Sequence, residues 1–391
     1  MKNNSFLCGM FQVLLIITIA LILLYSLLIL LYRRWFLEIT PFVATEDQLA
    51  LTSFSIIIPA RNEANNIYDC VLSILNQSYP KELFEVIVVD DYSTDDTAKI
   101  VQALQLANSN LHLICLEEYL KGTTLNAYKK KAIEIAIAQS KSEWIITTDA
   151  DCIAKKEWLT QYDSFIQNNN YVFIAAPVML FKGNSFLAIF QMLDFISLQG
   201  ITAASVTAGT HAMCNGANLA YEKTAFYEVE QFQGIDNLAS GDDMLLMQKI
   251  KVRYPGKLGY LFNQKAIIET AAMPDWNSFL NQRIRWASKA SGYKDRTIFW
   301  VLLLVYLLNL FLLAIGIASF FVEGGFNTFL ILLLIKTLVE ISFMYPVGKF
   351  FGLTEAITWF PIMQPFHIIY TVIAGWLGKF GSYQWKGRKL H

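Results

Sequence analysis

From Phe6 to Tyr32 the chain carries no charged residue. As an α-helix rising about 1.5 Å per residue, this run exceeds the roughly 30 Å hydrocarbon core of a bilayer. A cleaved secretory signal would have an apolar stretch of about 7–15 residues ending in small residues at a cleavage site. This run is longer and ends in Arg33, Arg34 and Trp35, so it is predicted to persist as a membrane anchor, with the arginine pair holding its C-terminal end in the cytoplasm. Thr297 to Val322 is a second uncharged run. A third candidate span follows from Phe326 to Val347, carrying Lys336 and Glu340 four apart on one helix face, where they neutralise each other or turn toward neighbouring helices. Leu353 to Leu377 is weaker, interrupted by Glu355, Pro361, Pro365 and His367. A full crossing there would place the tail outside, whereas Lys379, Lys386, Arg388 and Lys389 satisfy the positive-inside rule on the cytoplasmic side. A re-entrant or interfacial segment near Pro361 and Pro365 reconciles the two.

The chain is 55% hydrophobic and only 16% charged, against about 25% charged in an ordinary soluble domain. The apolar excess is concentrated at the two ends. Residues 33–296 mix polar and apolar positions as a globular domain does, and are enough for one sizeable core. A formal net charge of −1 gives no electrostatic ground for a nucleic-acid partner. Cys8, Cys70, Cys115, Cys152 and Cys214 are odd in number and have no zinc-ligand spacing. They read as reduced cytoplasmic thiols.

Within the middle region, Ser53–Ala60 and Phe84–Asp91 are near-continuous apolar runs, as parallel strands covered on both faces would be. Leu111–Leu116 and Glu143–Thr148 resemble them. Helical patterns lie between, over Glu63–Gln77, Asp95–Ala107 and Asn126–Gln139. This alternation predicts a doubly wound α/β sheet with right-handed crossovers. In such sheets ligands bind at the carboxyl ends of the strands. Arg61-Asn62-Glu63 follows the first strand, Asp90-Asp91 ends the second and Asp149-Ala150-Asp151 ends the fourth. Acidic groups gathered at one edge repel unless a cation or hydrogen-bond donors meet them. Two carboxylates one residue apart suit a hard divalent ion, Mg²⁺ or Mn²⁺, which bridges readily to a diphosphate. Taken alone an Asp-x-Asp triplet is equally a common loop feature.

Its company is more specific. The segments from Ser53 to Glu63, Val88 to Thr97 and Thr147 to Asp151 occur in the order in which the family 2 glycosyltransferases carry their nucleotide-binding motifs, and the chain resembles that family. The resemblance implies a GT-A, Rossmann-like, doubly wound mixed sheet. It assigns the donor nucleotide to Pro59, Arg61, Glu63, Asp90 and Asp91, and the metal to Asp149 and Asp151. Lys130, in the run Lys129-Lys130-Lys131, stands where the family often has a lysine near the nucleotide; a solvated helix face is the alternative. Asn215-Gly216-Ala217-Asn218 resembles the segment lining the sugar and acceptor cleft, although Asn-Gly by itself is a plain turn. Ser240-Gly241-Asp242-Asp243 resembles the Glu-Asp motif with Asp242 in place of Glu and Asp243 matching the catalytic Asp. Gly241 or Asp242 can equally cap a helix.

Gln282-Arg283-Ile284-Arg285-Trp286 matches the Gln-x-x-Arg-Trp motif of processive and lipid-acting members. On a helix Gln282, Arg285 and Trp286 share a face, so Arg285 can fork onto a diphosphate and Trp286 can offer an apolar platform. An amphipathic interfacial helix is compatible with this. The resemblance therefore implies an inverting transfer from a nucleoside-diphosphate sugar, with UDP expected, in which Asp243 is the base and Arg285 stabilises the leaving diphosphate. The acceptor is expected to be a lipid, since Trp385-Lys386-Gly387-Arg388 resembles tails of lipid glucosyltransferases. Processive polysaccharide synthesis and a non-catalytic membrane scaffold are the alternatives. His211 reads as a structural histidine. The expected organisation is an anchor over 1–35, a cytoplasmic catalytic domain over 50–272, an interfacial helix over 273–296 and a membrane region over 297–391. Such a protein would be integral to a membrane, the bacterial inner membrane being the expected one.

Overall fold

Apolar runs rich in Ile and Val become central strands when both their faces are covered. In the computed structural model β1 (Phe54–Ala60) and β2 (Phe84–Asp90) run parallel, with Ile57 opposite Ile87. β3 (Leu111–Cys115) lies parallel beyond β2, and β4 (Trp144–Thr147) lies parallel on the other side of β1. These are the four strands expected from the sequence. The described residues are all but 1, 46–47, 123–124, 212, 239–240, 289–294, 381–382, 386–387 and 391, with only the backbone described over 2–8 and 383–390. Ser240, Lys386 and Gly387 thus lie outside them, as do the side chains of Cys8, Trp385, Arg388 and Lys389.

The sheet then changes direction. β8 (Leu219–Glu222) is antiparallel to β4 and to β6 (Phe173–Ala175), and β9 (Leu258–Tyr260) closes the order β3-β2-β1-β4-β8-β6-β9. A smaller sheet pairs β5 (Cys152–Ala154), β10 (Ile268–Thr270) and β7 (Val178–Leu180). The mixed sheet agrees with the expected class. Helices α2 (Ile67–Leu75), α3 (Thr97–Gln105), α4 (Leu116–Leu120), α5 (Tyr128–Gln139), α6 (Trp158–Asn168), α8 (Lys223–Glu228) and α9 (Met244–Arg253) connect the strands. In α2 the buried side chains Ile67, Cys70, Val71 and Ile74 recur at helical spacing and form the face turned to the core.

Among the described residues, five helical stretches are long and apolar enough to cross a membrane. Three fall in α1 (Lys2–Glu38), α11 (Arg296–Ala318) and α12 (Gly325–Phe351), where long apolar runs predict them. A fourth, α7 (Phe186–Thr207), is not singled out by its sequence pattern; 61% of its most apolar window is buried by its neighbours, so its apolarity reflects packing inside protein. It meets α12 closely at Gly200, where a Cβ would fall 2.5 Å from Val347 Cγ2. The fifth ends in α13 (Phe360–Phe380), which continues through Pro365, so the proline there does not break the helix as expected. Pro361 stands in the first turn, where its missing N–H has no helical partner to lose.

The path of α13 bears on the topology conflict. It lies lengthwise along α10 (Trp276–Ser288): Phe366 stacks on Trp276 at 5.9 Å, Tyr370 meets Phe279 edge-on at 5.2 Å, and Ala374 packs with Ile284. At the far end a Cβ on Gly378 would fall 2.6 Å from Ala287 Cβ. Each end of α13 therefore tracks an end of α10. The end of α12 docks on the sheet domain, where Phe350 stacks on Phe262 at 3.9 Å. Within the bundle the expected Lys336 and Glu340 pair forms at 2.7 Å, with Lys336 also donating to Gln364.

Candidate active site

The loops that follow β1 and β2 are laced together by hydrogen bonds that fix the residues expected to meet the nucleotide. Arg61 Nη1 donates to the carbonyls of Asp91 at 2.7 Å and Tyr92 at 3.1 Å, and the Asp91 N–H donates to the Ala60 carbonyl at 2.8 Å. Asn62 and Tyr92 both take positive φ, 51° and 55°. Asn62 Oδ1 accepts from the Thr94 N–H at 2.8 Å, and the Glu63 N–H donates to Thr97 Oγ1 at 2.8 Å. Pro59 is the penultimate residue of β1. Asp90 Oδ2 accepts from the Ser93 N–H at 3.3 Å, while its Oδ1 is buried with no hydrogen-bond partner. A buried acceptor in that state calls for a donor from a ligand or water.

The second half of the site gathers around one ammonium group. Lys129 Nζ lies 2.8 Å from Asp149 Oδ1 and 3.0 Å from Asp242 Oδ2, so it joins the end of β4 to the start of α9. Burial disfavours the Lys129 ammonium, but the carboxylates of Asp149, Asp242 and Asp243 outweigh burial and hold its pKa above the ordinary lysine value. Asp243 is the N-cap of α9, accepting from the Met244 N–H at 2.7 Å; its other oxygen accepts from the Gly216 N–H at 3.2 Å. Two backbone donors from separate segments thereby orient that carboxylate. Asn215 Oδ1 accepts from the Ala217 N–H and closes the turn that presents Gly216.

Two expectations differ from the geometry. Lys130 is buried and donates to the carbonyls of Ile235 and Leu238 at 2.6 and 2.7 Å, while Lys129 reaches the carboxylates. Lys130 shares the inward face of α5 with Ile133 and Ile137, spaced three and seven residues on, and that phase was readable in the sequence. Asn218 is fully buried: its amide nitrogen donates to the carbonyls of Pro177 and Ala266, and its oxygen accepts from Trp158 Nε1 and Tyr162 OH. With all four capacities used, Asn218 ties β8 to its surroundings and leaves no group for an acceptor. On α10, Arg283 turns inward as an ion pair with Asp194 at 2.6 Å, its guanidinium 4.2 Å from the Trp286 ring centroid and donating to Gln282 Oε1 at 3.0 Å. Trp286 also packs near Phe195, at 6.2 Å, and Arg285 is partly exposed. Lys129, Arg283 and Asp194 are the residues that sequence reasoning passed over.

Asp151 follows at the start of β5, with Cys152 Sγ 3.7 Å from its Oδ1. Among the described residues no set of three or more His, Cys, Asp or Glu side chains converges as a metal cage. The pair Asp149 and Asp151 still suits a hard cation that takes its remaining oxygens from a bound diphosphate and water, as Mg²⁺ commonly does. Cys70 and Cys152 lie beneath this edge, and burial, reinforced by the Asp151 charge, pushes both thiols well up from their usual range. That keeps them protonated and inert.

Two family models match the chain: glycosyl transferase family 2 over residues 55–229, and glycosyl transferase family group 2 over residues 144–377, more than half of its length. The chain belongs to glycosyl transferase family 2. Among the curated relatives of this glycosyltransferase, AglE of Haloferax volcanii is 30% identical over 145 residues, 37% of this chain and 45% of that protein. The poly-beta-1,6-N-acetyl-D-glucosamine synthase of Staphylococcus epidermidis is 24% identical over 279 residues, 69% of this chain and 62% of that protein. The glycosyltransferase spans less than two thirds of the length of these relatives. The mannosyltransferase PcManGT of Pyrobaculum calidifontis, solved with GDP-Man and Mn²⁺, aligns with a TM-score of 0.55 at 17% identity, covering 92% of this chain and 99% of that one. At that identity the likeness shows a shared fold, in keeping with the GT-A expectation.

Proposed function

We propose that this glycosyltransferase moves a sugar, with inversion, from a nucleoside-diphosphate sugar, UDP being the expected nucleotide, to a lipid acceptor at the membrane. The observation that carries the reading is the convergence of Asp149, Asp242 and Asp243, from strand and helix ends far apart in sequence, around Lys129 and Gly216. An acceptor hydroxyl is a poor nucleophile, and a carboxylate within hydrogen-bond reach takes its proton as the new bond forms. Asp243, oriented by the N–H groups of Gly216 and Met244, is that base. Displacement on the face opposite the leaving group turns an α-linked donor into a β-linked product. Arg61 shapes the nucleotide loops, and Asp90 Oδ1 offers the base or ribose an acceptor. Lys129 and Arg285 supply positive charge to the diphosphate. Asp149 and Asp151 would hold Mg²⁺ or Mn²⁺, which when bound neutralises charge on the leaving diphosphate.

In this reading α1, α11 and α12 cross the bilayer while α10 and α13 lie together along its cytoplasmic face. Three crossings leave Lys379 and the basic tail inside, as the positive-inside rule requires. Nanodiscs carrying the purified chain, incubated with UDP-sugars and Mn²⁺, should hydrolyse at least one donor slowly and transfer its sugar to lipid. Absence of both across the common donors would remove the enzymatic reading and favour a scaffold. Polymer synthesis is the second reading, favoured by the match to the S. epidermidis polysaccharide synthase over 69% of this chain. A ladder of product masses, in place of a single added sugar, would decide for it.

A further inference from the structure

Between α1, α7, α11, α12 and α13 lies a cavity of about 710 Å³, within the range of small-molecule sites. Its walls are largely apolar, with Leu28, Ile29, Leu193, Ile298, Leu302 and Met344 among them. Two polar clusters face it. In one, Asp194 pairs with Arg283 at 2.6 Å and accepts from Tyr370 OH, with His367 Nε2 4.0 Å from the same oxygen that Tyr370 meets. In the other, Glu340 accepts from Tyr25 OH at 2.5 Å and from Gln364 at 2.7 Å, with Lys336 behind it at 2.7 Å. The side chains of Arg283 and Asp194 are only 5% and 4% exposed, yet Arg283 Nε is buried with no hydrogen-bond partner, and so is His367 Nδ1.

We propose that this cavity binds a neutral membrane amphiphile whose uncharged head carries hydroxyl or amide groups, with Arg283 and His367 hydrogen-bonding that head. The inference rests on the lipid-acceptor reading above and adds the place and the chemical class of the lipid. Buried polar atoms without partners mark where a ligand supplies them, and the apolar walls suit the adjoining chain. The charges argue against a phosphate head. Arg283 is already matched by Asp194 and Lys336 by Glu340, so a phosphate inside would be an extra buried anion with no partner charge. A hydroxyl or amide needs only hydrogen bonds. Lys379 lines the exposed rim, where a phosphate would remain in water.

The cavity also reaches toward the carboxylates. His211 and Met213 belong to its wall, and Gly216, three residues beyond Met213, donates to Asp243. Three residues of extended chain span at most about 11 Å. The cavity wall at Met213 therefore lies within about 11 Å of chain from the turn that meets Asp243.

Photolabelling of the full chain in nanodiscs tests this. One sample contains a diacylglycerol with a diazirine in an acyl chain, and the other contains phosphatidic acid with the same chains. The diacylglycerol should label cavity residues of α7, α11 and α13 at least about tenfold more than phosphatidic acid, since tenfold corresponds to only about 1.4 kcal/mol. Excess unlabelled diacylglycerol should suppress that labelling on the wild-type chain, and Ser197→Trp, which puts an indole into the cavity, should weaken it. Equal or greater labelling by phosphatidic acid would overturn the proposal. So would labelling confined to exposed α12 residues such as Ile331 and Leu334. Donor hydrolysis by the wild-type chain in the same discs reports separately on the glycosyltransferase reading. Hydrolysis or transfer without cavity labelling sinks the lipid site alone, and labelling without either hydrolysis or transfer sinks the enzymatic reading alone.

Discussion

The Gly216 N–H donates to Asp243 Oδ2 at 3.2 Å, so the turn after α7 positions the carboxylate at the start of α9. Asp243→Asn keeps the shape and one acceptor but cannot take a proton. Sugar transfer should fall by about 10²–10⁴-fold, while UDP binding measured by calorimetry stays near wild type. Turnover close to normal would remove Asp243 from the role of base.

Asp151 stands beside Asp149, whose Oδ1 Lys129 already occupies. Asp151→Ala should abolish the dependence of UDP-sugar binding on Mn²⁺. Titrations with and without the ion test this directly, and an undiminished metal effect would reject the assignment.

The two arginines of α10 should separate cleanly. Arg283→Ala leaves Asp194 buried and unpaired, and should lower unfolding stability by about 3–5 kcal/mol. Arg285→Ala, at a partly exposed position, should cost less than about 1 kcal/mol but reduce transfer about 10²-fold. Thermal unfolding and initial rates measured on both variants check the split, and the reverse pattern would exchange their roles.

Inside the bundle, Lys336→Met alone strands Glu340 in an apolar setting and should destabilise by about 3–5 kcal/mol. The double variant Lys336→Met with Glu340→Leu should regain most of that loss. Additive losses in a double-mutant cycle would mean that the pair is uncoupled.

Burial lowers the pKa of His211 to about 4, with Asp295 opposing and Lys251 reinforcing the shift. The unfolded histidine titrates near 6.5. Its contribution to stability is therefore complete above about pH 6.5 and is lost as pH falls toward 4, on the order of 3 kcal/mol. Melting temperatures of the wild type should drop across that window more than those of His211→Gln. Parallel drops in the two proteins would show that another group controls acid stability.

The chain's local patterns determine much of this protein. The apolar runs at Ser53–Ala60 and Phe84–Asp91 mark buried parallel strands, because a strand covered on both faces admits few polar residues. The long apolar runs in α1, α11 and α12 are equally local signals. What tertiary structure alone decided is which side chains meet. The phase of α5 that turns Lys130 inward is a local signal, but that Lys129 then meets Asp149 and Asp242 is not. Arg283 finds Asp194, and α13 lies along α10, through packing between segments distant in sequence. A residue's periodicity records whether its own face is covered, not what covers it, and so these pairings exist only once the helices and strands have packed.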